Sequence, residues 1–169
     1  MKPNDLDPSL HGARRKRLAL AMQEGVAVIP TAPERIRNRD THYPFRYDSH
    51  FYYLTGFAEP EAVLVIVAGA QPKSLLFCRE KNEERETWDG FRFGPKGAQE
   101  RFGFDAAYPI GELDATLATL LGDQPALHFP IGADAAWDAR AMGWLNAVRA
   151  LARTGIAAPE RVQDVRGLI

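Results

Sequence analysis

Cysteine is nearly absent from this chain, and neither sign of charge is in excess. The 169 residues include one cysteine, Cys78, so an internal disulfide cannot form and a cysteine-based zinc site is excluded. The 21 basic residues nearly balance the 22 acidic ones, which gives the whole protein no attraction toward nucleic acid or an anionic membrane. We therefore expect neither of them as a partner.

Long hydrophobic runs are missing as well. The longest run, residues 62–70, is far too short to span a bilayer, and the polar N-terminal stretch lacks the uninterrupted apolar segment of a signal peptide. The composition, 46% hydrophobic and 25% charged, is that of an ordinary globular protein. These features predict a cytoplasmic protein with one domain over residues 1–169, a length that can bury a substantial core.

Hydrophobic periodicity predicts alternating helices and strands. The clearest strand signal is residues 61–68, which are apolar on both faces and rich in β-branched side chains. Residues 75–79 follow as its antiparallel hairpin partner. Further strands are predicted at 26–30, 51–57, 125–130 and within 156–169, and helices at 12–25, 95–102, 110–121 and 133–154. Residues 31–50 and most of 80–94 have no period and are predicted as loops. This order predicts an α/β fold, a mixed β-sheet flanked by helices.

Aspartate and histidine alternate in the first of these loops. Asp40, His42, Asp48 and His50 form two pairs, and alternate residues of an extended chain share a face. Borderline and hard metals take such side chains together. Loop aspartates and histidines also cap turns and bond to backbone groups, and no HExxH-type motif supports a metal site.

Other catalytic signatures are incomplete. The hydroxyl and thiol candidates Ser49, Thr55, Ser74 and Cys78 lie outside any G-x-S-x-G elbow, and Cys78 falls on a predicted buried strand. The glycine-containing turns match neither phosphate-binding motif. Arginines alternate with aromatics between residues 35 and 52, as in single-strand binders. Acidic residues are interleaved with them, and core aromatics beside solvated arginines explain the pattern without any ligand.

Two long motifs resemble a known family. The runs "RNRDTHYPFRYDSHFYYLTGFAEPEAVL" and "LLFCREKNEERETWDGFRFGPKGAQERFG" closely resemble the N-terminal domain of bacterial aminopeptidase P, the Xaa-Pro aminopeptidase, of the creatinase/prolidase N-terminal domain family. The resemblance runs from about Arg14 to the C-terminus. It implies a creatinase-like α/β domain that mediates subunit association and forms part of the wall of the substrate pocket.

The same resemblance implies which parts of the enzyme lie elsewhere. Family members are metalloenzymes that remove the first residue from peptides with proline in second position. Their two Mn²⁺ ions are held by two Asp, one His and two Glu on a following "pita-bread" domain. It thus implies no catalytic residue, metal ligand or cofactor in this chain, and we expect the isolated chain to be inactive. The expected partners are its own C-terminal catalytic domain, further copies of the same chain, and Xaa-Pro peptides in the full enzyme.

Three residues match family positions near a pocket between subunits. Trp88 matches the tryptophan that reaches a neighbouring active site, and Asp40 and Arg153 match positions close to it. We rank them as substrate-binding residues in the order Trp88, Asp40, Arg153. Packing of Trp88 on its own domain remains an alternative, although the charged residues around it favour exposure. Tyr53, Leu54 and Phe57 are predicted as core.

Two other hypotheses compete with the hypothesis that this chain is a domain for subunit assembly and substrate gating. One is a free-standing peptide-binding module without peptidase activity. The other is a complete small hydrolase that uses Asp40 and His50 with a metal.

Overall fold

The computed structural model describes residues 7–169 as helices packed on a six-stranded sheet. The α-helices are α1 (Pro8–Met22), α2 (Ser49–Thr55), α3 (Glu83–Asp89), α4 (Gly94–Phe102), α5 (Leu113–Leu120) and α6 (Ala135–Arg149). The strands are β1 (Val26–Pro30), β2 (Ile36–Asn38), β3 (Thr41–His42), β4 (Val63–Val67), β5 (Lys73–Cys78), β6 (Ala106–Pro109), β7 (Ala126–Phe129) and β8 (Arg161–Asp164). Residues 1–6, the start of the predicted domain, lie outside the described part.

The large sheet is mixed, which confirms the predicted fold class. Its strand order is β6-β5-β4-β1-β7-β8, and β2 pairs with β3 in a separate two-stranded sheet. Strand β4 pairs antiparallel with both β1 and β5, whereas β5–β6, β1–β7 and β7–β8 are parallel. Consequently β1, β5, β6, β7 and β8 all end at one edge of the sheet, which we call the C-edge.

Helices cover both faces of this sheet. Leu64 and Ile66 of β4 pack with α1, α2 and α4, and Val63 and Val65 pack with α5 and α6. Alternate residues of one strand thus enter opposite cores. This explains why β4 lacks polar alternation and why its prediction as a doubly buried strand was correct.

Arg15 is a buried cation in the first of these cores. Its side chain lies on the inner face of α1 and is 4% exposed. The guanidinium donates to Ser74 Oγ (3.2 Å) and to the carbonyls of Leu54 (3.0 Å), Phe102 (3.2 Å) and Gly103 (3.1 Å). Burial lowers the pKa of Arg15 to about 10. One side chain therefore joins α1 to α2, to β5 and to the end of α4.

Two histidines, His11 and His128, are buried. His11 bonds through Nδ1 to the carbonyl of Tyr53 (2.9 Å), and His128 bonds through Nε2 to that of Glu24 (3.1 Å). A carbonyl accepts only from a protonated nitrogen, so the other nitrogen of each neutral ring carries no proton. In His128 that nitrogen, Nδ1, is buried and has no partner among the described residues. Desolvation lowers the pKa of both rings.

The predicted strand at residues 51–57 was wrong, because residues 51–55 belong to helix α2. Asp48 caps its start by accepting the N–H of Phe51 (2.9 Å), and Gly56 ends it with a left-handed φ of 67°. The ring of His11 packs so closely on Gly56 that a Cβ there would lie 2.8 Å from Nε2. These cap signals outweighed the β-propensity of the aromatic run.

Three further differences between the predicted and the observed secondary structure concern short elements. The structure contains β2 and β3 within the predicted loop 31–50, α3 within the second predicted loop, and β6, which the periodicity did not indicate. Helix α1 begins earlier than predicted, at Pro8, after the side chain of Asp7 caps Ser9 N–H (2.9 Å). Segments of two to seven residues carry too little periodicity to be recognised.

The prediction of Tyr53, Leu54 and Phe57 as core residues was right for two of them. Leu54 and Phe57 are at most 1% exposed, whereas Tyr53 is 36% exposed. The Tyr53 ring lies 4.0 Å beneath the Arg14 guanidinium, and its hydroxyl accepts a hydrogen bond from Arg17 (2.8 Å). Tyr53 therefore belongs to a surface cluster with α1.

We expect Arg15→Met to lower the free energy of unfolding by about 3 kcal/mol, because carbonyls that now bond to a charged donor would stay buried without one. The adjacent, exposed Lys16 offers a matched control, and Lys16→Met should change stability by less than about 0.5 kcal/mol. Urea denaturation followed by circular dichroism measures both values. Equal stability of the two variants would contradict the role given to Arg15.

We also expect stability to fall in mild acid. Burial lowers the pKa of both histidines. As the pH falls through about 6.5, the histidines of the unfolded chain therefore become protonated while those of the folded chain stay neutral. Stability should be fully present above about pH 6.5 and should decrease as the pH falls below that value. Urea unfolding across this range measures the slope, and His128→Gln, which keeps a donor for Glu24, should reduce it. An unchanged slope would exclude His128 as a contributor.

Candidate functional site

Two exposed elements project from the C-edge. The first is the β2–β3 hairpin, and every residue from 33 to 44 is exposed. Asn38 shapes its turn by accepting the N–H groups of Asp40 (3.3 Å) and Thr41 (3.1 Å) and the Thr41 hydroxyl. The N–H of Tyr43 donates to the carbonyl of Arg35 (2.8 Å) and closes the base. Asp40 consequently lies at the tip of a projecting hairpin.

The second element is helix α3, which carries Trp88. Asn82 caps this helix by accepting the N–H of Arg85 (3.0 Å), and three glutamates in its first turn complement the helix dipole. Trp88 is 88% exposed and nearby Phe91 is 64% exposed. An exposed tryptophan on an ordered helix is typical of a contact surface.

Ionic contacts hold the chain around α3 in place. Lys81 Nζ donates to Glu86 Oε1 (2.7 Å) and to the carbonyl of Arg92 (2.8 Å). Glu86 also accepts the N–H of Arg92 (2.7 Å), and this bond, ahead of the one from Lys81, lowers the Glu86 pKa. The two ends of the α3 segment are therefore joined beneath the helix.

A second anchor fixes this segment to the sheet. Glu59 precedes β4, accepts the N–H of Phe93 (2.8 Å) and lies 3.5 Å from the Arg79 guanidinium at the end of β5. Both of these charged side chains are 12% exposed. The ring of Phe93 packs edge-on against Phe102 in the core, with centroids 5.1 Å apart. Trp88 therefore projects from a firmly anchored base, which the sequence did not indicate.

Arg153 lies at the opposite end of the sheet from Asp40 and Trp88. Helix α6 begins beside the C-edge, after β7, and its 15 residues extend about 22 Å away from it. Arg153 follows in a short 3₁₀ helix, Ala152–Thr154, before the start of β8. Close by, just before β7, the N–H of Asp123 donates to the carbonyl of Ala157 (2.8 Å), and the N–H of Ala157 donates to the Asp123 carboxylate (2.9 Å). The structure thus brings Asp40 and Trp88 to one edge and places Arg153 at the other.

The described residues offer neither a cluster of metal ligands nor a reactive thiol. Residues 7–169 contain no group of three or more His, Cys, Asp or Glu side chains that could hold a metal ion. Asp40 and His42 lie on the exposed hairpin, and Asp48 is engaged in capping α2. Desolvation raises the pKa of the buried Cys78 thiol to about 12, which keeps it protonated and unreactive.

Comparison with known proteins assigns the family. The family model described as "Aminopeptidase P, N-terminal domain" matches residues 11–128. The chain belongs to the aminopeptidase P N-terminal domain family. The Xaa-Pro aminopeptidase of Escherichia coli K12 is 36% identical over 159 residues, which are 92% of this chain and 36% of that protein. Human Xaa-Pro aminopeptidase 3 is 31% identical over 135 residues, 69% of this chain and 27% of that protein.

Solved aminopeptidase P structures agree with this assignment. Pseudomonas aeruginosa aminopeptidase PepP superposes with a TM-score of 0.92 and 41% identity, covering 98% of this chain and 38% of the other. A Zn-substituted Escherichia coli aminopeptidase P in complex with product gives a TM-score of 0.91 and 35% identity, covering 95% and 37%. The chain spans 27–38% of the length of these relatives.

Within residues 7–169, no helix is both long enough and apolar enough to cross a membrane.

We expect Glu59→Ala to loosen the α3 segment, because it removes the acceptor of the Phe93 N–H and leaves Arg79 unpaired. Hydrogen exchange at residues 90–93 should accelerate roughly tenfold for the loss of a charge-assisted bond. Glu61→Ala, two residues away at an exposed position, is the matched control and should leave these amides unchanged. Undiminished protection of Phe93 in the Glu59 variant would contradict this anchor.

Proposed function

We propose that this chain is the N-terminal, non-catalytic domain of a Mn²⁺-dependent Xaa-Pro aminopeptidase. In this role it contributes to subunit association and to the wall of a pocket for peptides with proline in second position. The observation that carries the proposal is the match to aminopeptidase P over 98% of the chain, at a TM-score of 0.92. Its natural partners would be its own catalytic domain and other copies of the same chain.

The exposed elements of the C-edge support the pocket-wall role. An exopeptidase must hold its substrate in one register, which requires walls around an otherwise open reaction centre. Trp88 offers a rigid aromatic surface that its own domain does not use, and Asp40 offers a carboxylate at the hairpin tip. In this proposal both line a substrate pocket, with Trp88 making the larger contribution.

The position of Arg153 favours more than one subunit. Arg153 makes no hydrogen bond or ion pair among the described residues, so its guanidinium is available to a partner. It is separated from the C-edge by the length of α6, about 22 Å. We therefore assign Arg153 to a different pocket from the one that Asp40 and Trp88 of the same chain would line. Association of several copies would let each pocket receive all three side chains.

The two Mn²⁺ ions would be held outside this chain. The described side chains do not fit them, since no three metal-ligating groups converge. The residues of this domain would bind and orient the peptide, and they would exclude longer or folded substrates from the reaction centre.

We expect Trp88→Ala, made in a two-domain protein that carries this chain, to lower kcat/KM for a Xaa-Pro peptide about tenfold. That factor corresponds to losing about 1.4 kcal/mol of contact with the bound substrate. Elemental analysis should show the same metal content, because Trp88 holds no metal. Leu20→Ala removes an exposed apolar side chain, 75% exposed, from α1 and should leave the kinetics unchanged. Wild-type kinetics for the Trp88 variant would remove it from the site.

A further inference from the structure

A crevice of about 400 Å³ opens at the C-edge, between the ends of β1 and β7. These neighbouring strands are parallel, yet the chain leaves β1 toward β4 on one side and leaves β7 through α6 toward β8 on the other. Connections that diverge in this way leave a gap beyond the carboxyl ends of the two strands. In open α/β sheets such switch points are the usual place for a ligand, and the volume is that of a small-molecule site.

The crevice has an apolar floor and side walls. Ile29 and Pro30 end β1, Pro130 follows β7, Trp137 comes from the first turns of α6, and Val165 follows β8. Ile29 and Val165 are buried. A ligand seated here would therefore bring an apolar group of its own.

The carboxylates in the wall are already engaged. Asp48 caps α2 by accepting the N–H of Phe51 (2.9 Å), and Asp134 caps α6 by accepting those of Ala136 (2.9 Å) and Trp137 (3.2 Å). Both carboxylates keep their negative charge, but an oxygen of each is already bound to these backbone N–H groups.

The basic side chains in the wall differ in how many hydrogen bonds they make. Arg166 donates through Nε to Asp164 (3.0 Å) and through Nη2 to the carbonyl of Ile131 (2.7 Å). Arg35, at the base of the β2–β3 hairpin, and His50, in the first turn of α2, also line the crevice. Neither of these two side chains makes a hydrogen bond or an ion pair in residues 7–169. Arg35 is therefore the cation of the wall whose guanidinium is not bound to another group within residues 7–169, while Asp48 and Asp134 contribute negative charge to the same lining.

We propose that this crevice binds a carboxylate attached to an apolar group, with Arg35 and His50 at the carboxylate and the Trp137 side of the crevice around the apolar part. The carboxyl end of a short peptide and a small free carboxylic acid share this chemistry. The site lies within one chain and requires neither the peptidase reaction nor a second subunit. Its failure would therefore leave the proposed pocket wall untouched.

The test titrates the 169-residue chain with three probes: the tripeptide Gly-Pro-Leu, the same tripeptide with a C-terminal amide, and 3-methylbutanoate. Calorimetry measures affinity, and backbone NMR shifts locate the site. We expect Gly-Pro-Leu to bind with shifts around residues 29–33 and 130–137, and the amide to bind at least about tenfold more weakly, for the loss of a charge-assisted bond. If 3-methylbutanoate binds equally well, the ligand is a small acid. If it binds much more weakly, the ligand is a peptide end.

Two arginine variants make the test specific. Arg35→Gln should raise the Kd for Gly-Pro-Leu about tenfold. Arg37→Gln is the matched control: Arg37 also lies on the hairpin, but its guanidinium rests 6.0 Å from the Tyr43 ring and does not line the crevice. Both positions are exposed, so folding should be preserved. Absence of binding, equal affinity for the amide, an unaffected Arg35 variant, or shifts located elsewhere would each overturn the proposal.

Discussion

The buried guanidinium of Arg15 holds one half of the molecule together. It donates to groups on α2, β5 and the end of α4 from a single position on α1. Burial lowers the pKa of Arg15, and the negative charge of Asp105, which accepts the N–H of Ser74 (2.7 Å), acts against that effect. A planar group with five donors suits this arrangement, because carbonyls at the ends of two helices approach it from different directions. Apolar packing alone would leave those carbonyls buried without donors.

This internal anchoring allows the C-edge to remain open. With α1, α2 and α4 fixed on one face and α5 and α6 on the other, the sheet is covered without any contribution from the β2–β3 hairpin or α3. Both elements can then project while the fold stays intact. Burying a side chain the size of Trp88 is worth about 3 kcal/mol, and its own domain forgoes that stabilisation. Such free energy remains available for contact with another domain, subunit or substrate.

The sequence predicted correctly those parts of the fold where a single strong pattern, such as a continuous apolar run, determines the secondary structure. Residues 26–30, 61–68 and 75–79 are strongly apolar, and they form the centre of the sheet as expected. The prediction failed at 51–57, where Asp48 and Gly56 as helix caps outweighed aromatic β-propensity. It also missed α3, although Asn82 followed by acidic residues is a helix-start signal. Strand β6 was missed because only its parallel pairing with β5 defines it.

Site residues were less predictable than the fold, because the function of a side chain depends on where the folded chain places it. Trp88, Asp40 and Arg153 were all selected on resemblance, yet α6 separates Arg153 from the other two. Arg35 illustrates the opposite case. In sequence it is one of several arginines in an exposed loop, and only the divergence of β1 and β7 distinguishes it from Arg37, two residues away. Since a switch point arises from strand order rather than from local pattern, a crevice of this kind becomes visible only once the topology is known.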